Sequence, residues 1–484
     1  MKFVALLLLT CAGSFFFLPT VPSGGQVPTP AQEAVTGFDD QSNGYSDPDR
    51  RKVDQKFFEE GEEIAPDGLG PLYNAQSCRE CHQTPVSGAA SQVTELRIGH
   101  IDAHGFFQNP EIPINHGAEV IRGRTLVNDR AICPEIQERA PDSETVRTTR
   151  LTTNTLGDGY VEAIADATLL SIRKQQCRAS HGKICGQAVK VPVPESEGRE
   201  RIGRFGWKDQ HASLLGFAAD AYLNEMGITS SLQKNEVTSI CSPPVATQVP
   251  HTDPTKITEP NSLPDPTDKL EDIDHFASFM RSLKAPARDE TIAGTPEAKR
   301  GAEVFARIGC SVCHVESIAT GKSPASPGGA GLHPEALENH TIHPYSDFLL
   351  HDVGTGDGIA IALFEHFGTE RLQERLREEK ATMAELKAQP RKLEDECSES
   401  YQDAVAEGEK HPDLLRDTLC ARNRIRTAPL WGLRVRSRLM HDGSSIQVDD
   451  AIRRHRGEAA KVTEKYMKLK PTEQKALVTF LQSL

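Results

Sequence analysis

Two pentapeptides combine residue types and spacing that can do chemistry: Cys78-Arg79-Glu80-Cys81-His82 and Cys310-Ser311-Val312-Cys313-His314. Each sets two thiols about one helical turn apart and an imidazole directly after the second. Thiols at that spacing reach the two vinyl groups on one edge of a porphyrin, and the adjoining histidine then points at the iron. Each pentapeptide therefore reads as a clamp plus a ligand for covalently attached haem c. With 11 cysteines and 17 histidines in 484 residues, chance gives one such match in roughly one chain in a hundred, and two in on the order of one in twenty thousand. A zinc site would need two C-x-x-C knuckles meeting at one ion, and a thioredoxin-like pair would need no histidine. The expectation is two covalently bound haem c groups, attached at Cys78, Cys81, Cys310 and Cys313, with His82 and His314 on the irons.

Elements must hold those clamps. Before the second, Gly301, Phe305 and Gly309 lead out of a polar helical stretch; before the first, Phe57, Phe58 and Gly61 precede a Gly-Pro turn. Both resemble the opening helix of a cytochrome c domain. Each half also closes on helical spacing, with Ile273, Phe276, Ala277 and Met280 in one and Leu477, Phe480, Leu481 and Leu484 in the other. Met280 is expected to pack rather than to ligate. An internal duplication follows: a mainly α chain of two cytochrome c-like haem domains with long loops and insertions, over 24–290 and 291–484, joined by a linker at 284–296. The charged stretch at about 366–424 reads as an insertion forming a solvated helical hairpin.

The net charge of −14, with acidic residues in both halves, offers no basic patch for a phosphate backbone, so nucleic acid is excluded as a partner. Lys2, an apolar run from Val4 to Leu18 and the small residues Pro22-Ser23-Gly24-Gly25 read as an export signal over 1–23, with retention as an anchor the alternative. Later segments are too polar to cross a bilayer, so no stable membrane insertion is expected after signal removal and the compartment is the periplasm. Six cysteines outside the clamps, Cys133, Cys177, Cys185, Cys241, Cys397 and Cys420, suit that oxidising setting. The shortest loops pair Cys177 with Cys185 and Cys397 with Cys420, leaving Cys133 with Cys241, one of fifteen connectivities.

Five further segments carry a resemblance: Gly68-Leu69-Gly70-Pro71-Leu72-Tyr73-Asn74, Gly203-Arg204-Phe205-Gly206-Trp207-Lys208, Met226-Gly227-Ile228-Thr229, His343-Pro344-Tyr345-Ser346-Asp347 and Met440-His441-Asp442-Gly443. Together with the clamps they resemble the dihaem oxidoreductase family, also labelled thiol oxidoreductase, which is related to the bacterial dihaem cytochrome c peroxidases and MauG. The matches run from about Asp54 to the C-terminus. The thiol label finds no support, because every C-x-x-C is followed by histidine.

The resemblance implies roles for particular residues. The position fourteen after His441 ligates the C-terminal haem in relatives, where it is Met or Tyr; here it is His455. Imidazole in place of thioether lowers a reduction potential. The N-terminal haem would be the open one, with Glu162 as general acid/base on peroxide. Trp207 would stand between the haems as an electron relay, with core packing the competing role. Relatives hold calcium between the domains, but no segment here resembles a calcium loop, so that site is unassigned. The implied partners are a small electron-donor protein, cytochrome or cupredoxin, and a small oxidant such as hydrogen peroxide. Two other functions compete with this peroxidase-like reading: a pure electron-transfer cytochrome, and a MauG-like oxidase that modifies a protein or polymer.

Overall fold

The structure is a computed structural model that describes residues 31–360 and 421–484, apart from 66, 104–106, 197–198, 242–263 and 325–329. The export signal, the Cys397–Cys420 pairing and all but the last four residues of the 366–424 insertion lie outside the described residues.

Helices build both clamp supports. Helix α1 (Pro48–Glu59) opens on Asp47, whose side chain accepts from the amides of Asp49 and Arg50, and Pro48 fits the first turn, where no amide is needed. The short helix α2 (Cys78–Cys81) holds the first clamp and is capped by Ser77. Helices α3 (Asp158–Glu162), α4 (Asp166–Ala179), α5 (Leu214–Met226) and α6 (Asp272–Ser282) complete the first half. Ile273, Phe276, Ala277 and Met280 of α6 are all buried in its core, which also takes in Phe58, Tyr160 and Leu214. That core extends across the chain: Ile318, Leu337, Ile342, Phe348, Leu349 and Trp431 belong to it. The stretch expected to be a linker is itself packed, since Ala285 is buried and its amide donates to Val35, and it includes α7 (Glu290–Ala293).

The second support is α8 (Pro296–Ile308), capped by Thr295 and ended by Gly309 at φ 106°, a left-handed turn that sends the chain straight into Cys310. Helices α9 (Val448–Arg454), α10 (Ala460–Met467) and α11 (Pro471–Leu481) follow. Val304, Phe305 and Ile308 of α8 meet Leu477, Phe480 and Leu481 of α11 in a second core.

The expectation of a mainly α chain is overturned. Helix accounts for 34% and strand for 17%, so the fold is mixed α/β. Its largest sheet runs along Thr94–Ile101, which pairs antiparallel with Val146–Leu151, Leu126–Val127 and Phe107–Gln108. Several of the other strands are two or three residues long, too short to show an alternating pattern in sequence. The long pair mixes Thr and Val with Arg and Glu, and its burial does not alternate cleanly. Among the described residues no helix is long and apolar enough to cross a membrane. Disulfides join Cys133 to Cys241 and Cys177 to Cys185.

Candidate active site

The two clamps lie in matching surroundings. Phe58 of α1 sits 6.2 Å from the His82 ring at 60° and 4.7 Å from Phe279 of α6. Phe305 of α8 sits 6.2 Å from the His314 ring at 52° and 5.4 Å from Phe480 of α11. In each half an aromatic on the opening helix thus spans from the clamp histidine to an aromatic on the closing helix. The four clamp cysteines are partly buried and outside any disulfide.

At the second clamp a cavity of about 640 Å³ opens, lined by Cys310, Cys313 and His314 on one side and His455 on α9's C-terminal edge. His314 Nδ1 is 2.9 Å from the Tyr345 carbonyl and His455 Nδ1 is 2.8 Å from the Ala451 carbonyl. A carbonyl only accepts, so both rings carry their proton on Nδ1 and keep the Nε2 lone pair for a metal. Burial takes His314 down to about 4, leaving it the neutral imidazole that coordination needs. Phe305, Leu433, Ile452, Val462 and Leu477 supply an apolar wall. Two thiols, two imidazoles with free Nε2 atoms and an apolar wall fit an iron porphyrin. His455, the choice that departs from the Met or Tyr of relatives, is therefore placed facing the same cavity as His314.

Trp207 lines this cavity too. Its Nε1 donates to the Leu151 carbonyl at 2.7 Å, and its ring meets His441 edge-on at 6.2 Å. Leu151 ends the long sheet pair, and its own amide donates to the His441 carbonyl at 2.6 Å. The wall continues to Gln83 and Thr84, directly after His82, and to the segment 90–93. The cavity thus reaches from the second clamp to the loop that leaves the first, with Trp207 on its wall. Trp431, by contrast, is buried in the first core, where Gly157 approaches its ring so closely that a Cβ would lie 3.0 Å away.

Glu162 does not line that cavity. It is wholly buried on α3 with both oxygens occupied: Oε2 accepts from Arg281 Nε at 2.7 Å, and Oε1 from Arg281 Nη2 at 3.0 Å and the Leu214 amide at 2.8 Å. Burial alone would raise its pKa, but the Arg281 charge and the hydrogen bonds outweigh it and hold the carboxyl below its ordinary range.

Sequence reasoning missed three groups. Arg281, the partner of Glu162, lies 119 residues away with no local pattern to announce it. His351 is buried 3.7 Å from Cys313 Sγ, between Asp347 at 2.9 Å and Glu458 at 2.8 Å. Lys208 is buried with its ammonium bonded to the Ala421, Arg422 and Arg424 carbonyls and paired with Asp357 at 2.9 Å. Lys208 and Asp347 fell within quoted motifs, but only the fold reveals what each one meets.

Paired clamp histidines and a cavity connecting their surroundings define the class: an oxidoreductase built around a bound redox cofactor. The chain belongs to the family described as "Di-haem oxidoreductase, putative peroxidase", which matches residues 130–372 and 400–484, so its cofactors are haems. No curated protein sequence is significantly similar to it. Among solved structures, hydrazine synthase of Kuenenia stuttgartiensis is 14% identical at a TM-score of 0.37, over 98% of this chain and 100% of its own. The dihaem peroxidase BthA of Burkholderia thailandensis is 13% identical at 0.35, over 95% of each chain. At these scores neither likeness bears on the chemistry of this chain.

Proposed function

We propose that this oxidoreductase is a periplasmic dihaem peroxidase. The observation that carries the reading is the cavity running from the second clamp, past Trp207, to the loop after His82. Haem c supplies an iron centre that takes up and passes on single electrons. Cys78 and Cys81, and Cys310 and Cys313, would hold the two groups by thioether bonds. His82 and His314 would each ligate one iron, and His455 would supply a second imidazole to the iron at the second clamp. A small donor protein, cytochrome or cupredoxin, delivers electrons to the C-terminal half, and Trp207 lies on the route to the N-terminal half.

Reduction of hydrogen peroxide to two waters takes two electrons and two protons, and one proton must move between the peroxide oxygens. Glu162 is the candidate for that transfer. Arg281 holds its carboxyl ionised, and both oxygens already accept from Arg281 and the Leu214 amide, so it would have to release one of these partners to take up that proton. The two disulfides support an oxidising compartment.

Purified full-length protein should show a Soret band, stain for haem on denaturing gels at two haems per chain, and give mixed high-spin and low-spin ferric signals. His455→Ala should convert the low-spin signal to high-spin. Mixing the reduced protein with peroxide should reoxidise it within the turnover time. Absence of bound haem, or two permanently low-spin irons without peroxide consumption, would overturn the proposal.

A further inference from the structure

The wall of the 640 Å³ cavity is not apolar throughout. Arg426, Arg436 and His441 all line it, and Arg426 Nε, Arg436 Nε and His441 Nε2 are buried without any hydrogen-bond partner. The hydrogen bonds of the two guanidiniums go to neutral groups: Arg426 donates to the Arg204 carbonyl at 2.9 Å and Arg436 to the Trp431 carbonyl at 3.2 Å. The carboxyl nearest Arg426 is Asp209, 3.9 Å from Nε and hydrogen-bonded to neither arginine. Asp158 also faces both arginines, yet burial pushes its pKa up to about 7, and the positive charge of Arg426 helps hold Arg436 down to about 10. Two cations that repel each other inside the protein, without a carboxylate hydrogen-bonded to either, are costly unless an anion joins them.

The clamp dictates which anion. A porphyrin captured through its vinyl edge at Cys310 and Cys313 carries its two carboxylates on the other side of the ring, so they must reach a wall of the cavity away from the thiols. We infer that Arg426, Arg436 and His441 form the seat for the carboxylates of the haem held at the second clamp. The inference rests on the proposed haem attachment and adds the residues that orient the group and set its potential. Cations beside the carboxylates favour the reduced iron and so raise its potential, offsetting the lowering expected from a second imidazole. His441 also meets Trp207 edge-on, so the seat would adjoin the tryptophan proposed as the electron route.

The test uses the full-length haem-loaded protein and its variants Arg436→Gln, Arg436→Lys and His441→Asn. Arg436→Gln should retain two haems per chain, shift the reduction equilibrium of the second haem about tenfold toward the oxidised form, about 59 mV for one electron, and leave the first haem unmoved. Arg436→Lys should restore most of that shift. The low-frequency Raman band for bending of the haem carboxylate side chains should move in both Arg436→Gln and His441→Asn, a change that mere loosening of the fold would not produce. If the wild type carries two haems and neither the potential nor the Raman band moves in either variant, the carboxylate seat is wrong and the function stands. If the wild type carries no haem, both fall.

Discussion

At the scale of single residues, Glu162 shows how far a position can be read before its partner is known. The family resemblance marks it as a proton carrier, and the structure adds a buried two-pronged ion pair with Arg281. Removing one member of such a pair leaves a charge in a medium that solvates it poorly. Breaking a buried pair from one side costs about 3–5 kcal/mol, while replacing both members with neutral groups costs much less. Arg281→Met should therefore lower the urea midpoint by the equivalent of about 3–5 kcal/mol, and Glu162→Gln added to it should recover a substantial part. A loss under about 1 kcal/mol in the single variant would mean that the carboxylate is solvated by something other than Arg281. Glu162→Gln alone should slow peroxide reduction by about 10²-fold or more, the usual scale for a lost general base.

At the scale of elements, the crossing of α8 and α11 is the tightest joint beside a clamp. A Cβ on Gly301 would lie 2.0 Å from the Ala476 carbonyl oxygen and 2.6 Å from Phe480 Cβ, so the helices touch at backbone distance. Gly301→Ala must push them apart, and overpacking of this kind costs about 1–3 kcal/mol. Thermal or urea unfolding should register that loss, while Lys299→Ala, exposed on the same helix, should stay within about 0.5 kcal/mol of wild type. Equal effects of the two substitutions would show the joint to be slack. These helices were legible in sequence because Phe305 and Gly309, or Leu477 and Phe480, recur at helical spacing and Gly309 ends the run before Cys310. The strands were not. Thr94–Ile101 finds its partner in Val146–Leu151, about fifty residues on, and its isolated pattern is neither alternating nor wholly apolar. What the helices could not reveal was therefore the sheet that brings Leu151, and with it Trp207, to the cavity.

At the scale of the whole molecule, the two halves are joined by charge as well as by the shared first core. Asp357 receives Arg150 Nε at 2.9 Å on one oxygen and Lys208 Nζ at 2.9 Å on the other, all three being buried. It thereby ties the strand end before Leu151 and the Trp207 segment to the second half. No sequence pattern links positions 150, 208 and 357, because each looks like an ordinary surface charge until the fold removes the water. Burial works against the Asp357 carboxylate, but Arg150 and Lys208, with His441 also facing it, outweigh burial and hold its pKa well below the ordinary 3.8. The sign follows directly: the unfolded aspartate takes up a proton near 3.8 while the folded one resists. The stabilisation is therefore present in full above that value and drains away as pH falls through the lower, folded one. Asp357→Asn should melt below wild type at pH 7 and lose less of its stability between about pH 5 and pH 2, so that the two melting curves converge in acid. Parallel curves across that range would show that this carboxylate does not hold the halves together, and that the shared core containing Trp431, Phe348 and Leu349 and the remaining polar contacts carry the tie without it.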